Sequence, residues 1–469
     1  MTTECNQGSF EFHCLNQRKV IAKFDGGNIT SDAGILLLRE VEKRTGLIAG
    51  LAKCFSDYRE ERWIEHTVEE LLAQRLYGNC LGYEDLNDHD RLRADPLLAV
   101  AVNKADPLGL DRRQESDRGK ALAGKSTLNR LELAKKDGPD KYHKIQPHED
   151  QIDRWMVDGF IHAHEGAPDE IVLDLDATDD LIHGNQEGRF FHGYYGNYCY
   201  LPLYIFSGEH LLCARLRRSN IDAAEGTVEE LARIVGQIRR AWPQVKIIIR
   251  ADSGFCREDL MSWCEKNGVD YVLGLAKNER LKKELAVELK QVEAQFQQTQ
   301  QPSRLFKDFQ YQTLKSWSLE RRVIGKAEHL EKGANPRFIV TSLSPERMDA
   351  RAVYEDFYCA RGDMENRIKE QQLDMFADRT SAGTMRANQL RLYLSSAAYI
   401  LMHALRRLGL KNTDLAHAQC QTIRLKLLKI GAQLRVTVRK IWISLAEGYP
   451  YVQIFAAVFQ NLQAVPLHC

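Results

Sequence analysis

The chain has 469 residues, 44% of them hydrophobic and 28% charged, with 65 Lys+Arg balancing 65 Asp+Glu. That length and mixture suit a soluble globular protein of two to four structural units. Eleven scattered cysteines, odd in number and without a Cys-x-x-Cys pair, argue against a disulfide framework or a zinc ribbon and for a reducing compartment.

From the start of the chain, no basic segment followed by an apolar core marks a secretory signal. A short extended stretch, Val20 to Phe24, leads into a Gly26-Gly27 turn, and the next hundred residues read as mostly helical. Ser31 and Asp32 stand at an N-cap position before the periodic run Ile35, Leu36, Leu37, Val41, and a second helix is expected from Thr67 through Arg75. Lys135 to Asp150 is polar, contains Pro139 and Pro147, and reads as a linker.

Strands are expected next: Ile171-Val172-Leu173, ending in Asp174-Leu175-Asp176, then Tyr198 to Phe206 and Leu211 to Leu216 as a hairpin about Ser207 to His210. Thr227 to Trp242 has helical spacing, and Lys246 to Arg250 is an apolar-centred strand. Glu258 to Asn267 and Asp270 to Leu275 continue the α/β alternation. Residues 278 to 300 read as a charged, Gln-rich helix, 304 to 341 as β-rich, and Met348 to Leu373 as helix. The remainder is expected to be helical and basic up to an aromatic tail from Tyr449 to Phe459. Its longest apolar run, about Leu392 to Leu405, is too short and too interrupted to span a bilayer.

Three acids stand out by position. Asp176 ends the first strand, Asp252 follows the Lys246 to Arg250 strand, and ligands bind at the carboxyl ends of strands in open α/β sheets. If the intervening helix is a right-handed crossover, the two strands are parallel neighbours and the carboxylates meet. Asp174 lies on the same strand face as Asp176 and is the alternative. Glu365 is the third acid: Tyr358, Arg361, Glu365 and Lys369 recur at offsets of 0, 3, 7 and 11, one face of a helix. Such a face is either an exposed ion-paired surface or a phosphate-handling one. From Ala382 to Lys440, eleven basic residues, Arg386 and Arg391 among them, face a single acid, Asp414. That cluster is either a phosphate-binding surface or a solvated helical face.

Asp176-Ala177-Thr178, Ala251-Asp252-Ser253-Gly254-Phe255 and Tyr358-x-x-Arg361-x-x-x-Glu365 together resemble the three catalytic blocks of the group-one DDE insertion-sequence transposases. The separation of 113 positions from Asp252 to Glu365 leaves room for that group's β-rich insertion, and His183-Gly184-x-Gln186 is similar to one of its branches. The Asp-x-Thr match favours Asp176 over Asp174. The group's signature lysine falls on Gln372 here, and Lys369 is the nearest basic residue on that face.

The resemblance implies a ribonuclease-H-like α/β core with a β-rich insertion between helical terminal regions. The expected divisions are 1–150, a mostly helical DNA-binding region; 166–277, the first part of the core; 278–341, the insertion; 342–410, the second part; and 411–469, a basic helical region. It further implies Mg2+, with Mn2+ as a substitute, held by Asp176, Asp252 and Glu365. Tyr358, Arg361, Lys369, Arg386 and Arg391 would contact double-stranded DNA, both terminal inverted repeats and target. A homodimer on DNA is implied, in a bacterial cytoplasm and associated with the nucleoid. A transposase-derived DNA-binding protein that no longer cuts is one alternative.

The other alternative is a P-loop protein, since Gly119 to Ser126 satisfies G-x-x-x-x-G-K-[ST]. No apolar strand precedes it, so a flexible basic loop is the expectation. His162-x-His164 reads as an exposed helix end, Cys256 and Cys264 as structural thiols, and Asp179 and Asp180 as solvated turn residues.

Overall fold

The computed structural model describes residues 8–135 and 138–468, so Lys136 and Asp137 of the expected linker lie outside the described residues. The chain forms two compact units. One comprises the chain up to Ala52, Asp57–Leu131 and everything from Ala404; the other comprises Lys53–Ser56 and Glu132–His403.

The first unit is less helical than its sequence suggests. Phe10–Leu15 and Arg18–Ala22 form an antiparallel hairpin, and Asn28–Thr30 is a third strand. Helix α1 (Ile35–Thr45) begins at Gly34 rather than being capped by Ser31 or Asp32. A Cβ on Gly34 would lie 1.8 Å from the Leu427 carbonyl, so only glycine permits that approach. Helix α2 (Val68–Leu81) is capped by Thr67, whose hydroxyl accepts from the Glu70 N–H while the Glu70 carboxylate accepts from the Thr67 N–H. The expected helical stretch after residue 411 contains two strands instead, Ala432–Val436 and Ile441–Leu445, before a helix at Val452–Gln463. Ala432–Val436 pairs with Asn28–Thr30, a partner about four hundred residues away that no local pattern announces.

In the second unit the expected linker ends in a buried strand, Ile145–Pro147, and a helix starts at Glu149. The main strands follow in chain order: β1 (Glu170–Ala177), β2 (Asp180–Leu181), β3 (Phe190–His192), β4 (Asn197–Tyr200), β5 (Leu203–Ser207) and β6 (His210–Arg215). Next come β7 (Lys246–Ala251), β8 (Asp270–Leu275), β9 (Ser303–Tyr311), β10 (Arg321–Leu330), β11 (Gly333–Ala334) and β12 (Arg337–Thr341). The expected Tyr198 to Phe206 strand is thus broken in two at Leu201-Pro202, because proline cannot donate to a ladder.

One mixed sheet runs β6-β5-β1-β7-β8-β12-β10-β9, with β11 on β10. Strands β1, β7 and β8 are parallel, β7 pairing with both others, and helices α3 (Thr227–Ala241) and α4 (Glu258–Lys266) make the crossovers. The stretch 303–341 is β-rich, and through the pairing of β12 with β8 its strands extend the same sheet. The α/β architecture expected from the sequence is present.

Alternation sorts the two faces of this sheet. Leu173, Leu175, Ile247, Ile249 and Leu273 pack with Leu231, Ile234 and Ile238 of α3 and with Leu260 and Met261 of α4. The opposite face carries Ile248, Val272, Ile324 and Ile339, which pack against Val353 and Tyr354. Those last two belong to the helical run Ala350 to Asp374 that closes this face. That run is not a uniform α-helix: Val353–Tyr358 and Glu370–Asp374 are wound as π-helix and Cys359–Arg361 as a tight 3-10 turn, around helix α5 (Gly362–Lys369). Among the described residues, no helix is long and apolar enough to cross a membrane.

Candidate active site

Because β1 alternates, Asp174 and Asp176 share the face opposite Leu173 and Leu175. Their environments differ. Asp174 is buried and accepts two hydrogen bonds from Arg250 of β7, at 2.5 and 2.8 Å, while Arg250 also donates to the Phe357 carbonyl at 2.5 Å. This pair ties β1 and β7 to the overlying helical run, and Arg250 engages both Asp174 oxygens.

Asp176 is the residue with chemistry to offer. In the parallel register Leu175 stands opposite Ala251, each one residue before an acid, and the Asp252 carboxylate is near enough to act on Asp176. Burial first, then the Asp252 carboxylate, push the Asp176 carboxyl up to about 6, against the pull of Arg361 and the Ala177 N–H; Glu365 pushes in the same upward direction. Asp252 caps the short turn Ser253–Phe255, accepting from the Gly254 N–H at 2.8 Å.

Arg361 reaches both sides of the site, lying 2.9 Å from Glu365 Oε1 and 3.7 Å from Asp176 Oδ2. Glu365 keeps 46% of its side chain exposed. Tyr358 completes the group: its hydroxyl would lie 2.6 Å from a Cβ on Gly274. Burial raises the Tyr358 phenol, with Arg361 opposing and Asp252 adding to the rise. Gly274 of β8 is therefore a site residue that sequence reasoning missed, and a glycine within an apolar strand was the available signal.

Three carboxylates with one arginine between them are a hard-oxygen donor set suited to a divalent cation. As placed, Glu365 is held by Arg361. Among the described residues, no three His, Cys, Asp or Glu side chains already surround one metal position.

Lys369 is exposed on the far end of α5, and no contact joins it to the three acids. Gln372 takes a different part, donating to Asp180 at 2.8 Å and to the Asp179 carbonyl at 3.3 Å. Asp180 is therefore no solvated turn residue: it is fully buried, and burial pushes its carboxyl up to about 8 despite the Gln372 bond. Arg386 donates to the Pro147 carbonyl at 3.3 Å, and Arg391 to Glu132 at 2.9 Å and Ser381 at 2.7 Å, so neither is gathered with the acids. Of the eleven basic residues from Ala382 to Lys440, Arg406 and Arg424 are buried, and only Lys411, Arg435, Arg439 and Lys440 are exposed.

The phosphate-loop pattern has no phosphate cradle. Ala121, Leu122 and Ala123 are buried rather than forming a flexible basic loop, and a 3-10 turn rather than a strand precedes them. Their backbone is consumed by Gln74 and Arg93, and Lys125 by Asn87 and Asp90. His164 is not an exposed helix end: its Nδ1 lies 2.8 Å from the Phe160 carbonyl, and its ring packs against Phe160, His210 and Trp242. Cys264 is buried, and burial pushes the Cys256 thiol up to about 12, as suits structural thiols.

The chain matches the family model described as transposase DDE domain group 1 over residues 12–467. No curated protein matches it.

Proposed function

This chain belongs to the group 1 DDE transposases, and from that membership we propose that it cuts and rejoins DNA phosphodiesters at the ends of an insertion sequence through Asp176, Asp252 and Glu365. The observation that carries the reading is the parallel β1/β7 register that sets Asp252 beside Asp176 under the helical run bearing Arg361 and Glu365. The strand order β6-β5-β1-β7-β8, antiparallel then parallel, supports a ribonuclease-H-like core.

The three carboxylates would hold Mg2+, or Mn2+ in its place. Bound there, divalent metal would activate the attacking oxygen and stabilise the leaving one. The chain's own groups do the rest. Arg361, beside both Asp176 and Glu365, offsets their charge and offers its guanidinium to the phosphate oxygens. Tyr358, wedged against Gly274, orients that guanidinium. In cleavage a water oxygen bonds to phosphorus and the bond to the 3′ oxygen breaks, leaving a 3′-hydroxyl. In joining, that hydroxyl attacks a target phosphodiester and displaces the target's 3′ oxygen. Holding two ends at once calls for a dimer on DNA. Lys369 at the exposed end of α5 and the exposed Lys411, Arg435, Arg439 and Lys440 are available for backbone phosphates.

The test is metal-dependent nicking of a duplex carrying the element's terminal repeat. Asp176→Asn, Asp252→Asn and Glu365→Gln each bind the duplex and yield no product. Full nicking by any of the three, or specific binding without nicking by the unsubstituted protein, overturns the proposal.

A further inference from the structure

Strands β3 and β4 form a ribbon, with β2 on the other side of β4, that rises directly after the Asp176 strand and exposes aromatic rings instead of burying them. Its base is fixed: Cys199 and Tyr200 are buried, and the Tyr200 hydroxyl donates to the Glu187 carbonyl at 2.5 Å. Its outer part is open. Phe191 is 57% exposed and Tyr194, at the turn, 87%. Phe191 meets its cross-strand partner Tyr198 edge-on at 5.5 Å, while Arg189 lies 3.8 Å over the Tyr198 ring and covers it. Phe191 and Tyr194 are thus the most exposed rings of the ribbon.

The turn is tied to the acids. Tyr195 packs against Tyr194 at 5.0 Å and donates its hydroxyl to the Ala177 carbonyl at 3.3 Å, one residue from Asp176. Burial, Asp179 and Asp176 together hold its phenol protonated, so it remains a donor. From Arg189 to Tyr200 the segment itself carries no carboxylate, so a polyanion is repelled less there than over the acids beside it.

Exposed rings on a rigid ribbon, beside carboxylates assigned to phosphodiester chemistry and flanked by a guanidinium, are the components of a stacking platform for unpaired bases. We infer that Phe191 and Tyr194 stack a nucleobase displaced from the duplex next to the bond being cut, and so hold the strand while the phosphodiester lies over Asp176 and Asp252. This rests on the catalytic reading above. A duplex must open there for its backbone to enter, and an aromatic face offsets the stacking lost.

The experiment uses full-length protein carrying Asp252→Asn, which removes cutting, in two arms. In the first, terminal-repeat duplexes made abasic at one position at a time around the cleaved bond are titrated. One abasic position weakens binding roughly tenfold with the ribbon intact, and less than about twofold in Phe191→Ala/Tyr194→Ala, because ring and base act as one contact. In the second, a labelled oligothymidine binds roughly tenfold more weakly to the alanine pair, and Tyr194→Phe restores it. Equal losses in both proteins at every position, or ring-independent oligothymidine binding, overturn the inference. So does a loss of self-association in place of base dependence, which would mark the patch as a contact between copies. Ring-dependent oligothymidine binding by a protein whose uncut parent fails to nick terminal duplexes sinks the catalytic reading while sustaining the stacking site.

Discussion

The two faces of the central sheet are built from the same strands by opposite rules. On one face Leu173, Leu175, Ile247, Ile249 and Leu273 are dry and interchangeable in kind, each contributing by burial alone. On the other, Asp174, Arg250, Asp176 and Asp252 sit under a helical run whose own winding departs from α geometry. Burial tolerates any apolar residue of suitable size, whereas the polar face depends on each partner being present. The contrast is sharpest within one strand, where Asp174 and Asp176 point the same way and meet different partners.

That contrast is open to breakage. The largest effect is expected at Asp176, where Asp176→Asn lowers strand cleavage by on the order of 10³-fold with little change in thermal stability. Asp174→Ala reverses the pattern, since it leaves Arg250 buried and uncompensated at a cost of about 3–5 kcal/mol, measured by urea unfolding. If the two variants share one phenotype, the division of labour between the carboxylates is wrong. Ile249→Ala, on the dry face, costs about 2–5 kcal/mol through its cavity and leaves the metal dependence of cleavage unchanged.

Two smaller effects follow from protonation. Asp176 holds its proton up to about pH 6, and a ligating carboxylate must be ionised. Mn2+ affinity therefore weakens as pH falls through that value, and calorimetry in buffers of different ionisation enthalpy should register proton release on binding there. Flat affinity from pH 5 to 8 would contradict the assignment. Asp180 is raised in the folded state, to about 8, from an unfolded value of ~4. The folded chain then binds a proton that the unfolded chain has lost, so its contribution to stability declines as pH rises across that window. Asp180→Asn keeps an acceptor for Gln372 and removes this decline, so its melting temperature exceeds that of the unsubstituted protein at pH 8 and converges with it near pH 4. Glu42, raised by burial to about 7, tilts both proteins alike, which makes the difference between them the quantity to read.

Much of this was legible from local patterns. Strand β8 and helix α3 begin where apolar periodicity places them, and β7 runs one residue past its expected end, because a strand or helix that buries one face must repeat at 2 or 3.6 residues. The same patterns placed two acids at strand ends and a third on a helical face. What local pattern does not contain is the identity of the partner across the ladder. Asp174 and Asp176 are the same residue type on the same face, and Arg250, supplied by β7, pairs with the first of them. Gln372, within the π-wound Glu370–Asp374, meets the β2 strand, whereas Lys369 is exposed. The joining of β12 to β8, the pairing of Ala432–Val436 with Asn28–Thr30 and the burial of Asp180 are likewise contacts between distant residues. Their free energy comes from packing and pairing in the assembled fold, which no stretch of sequence holds by itself.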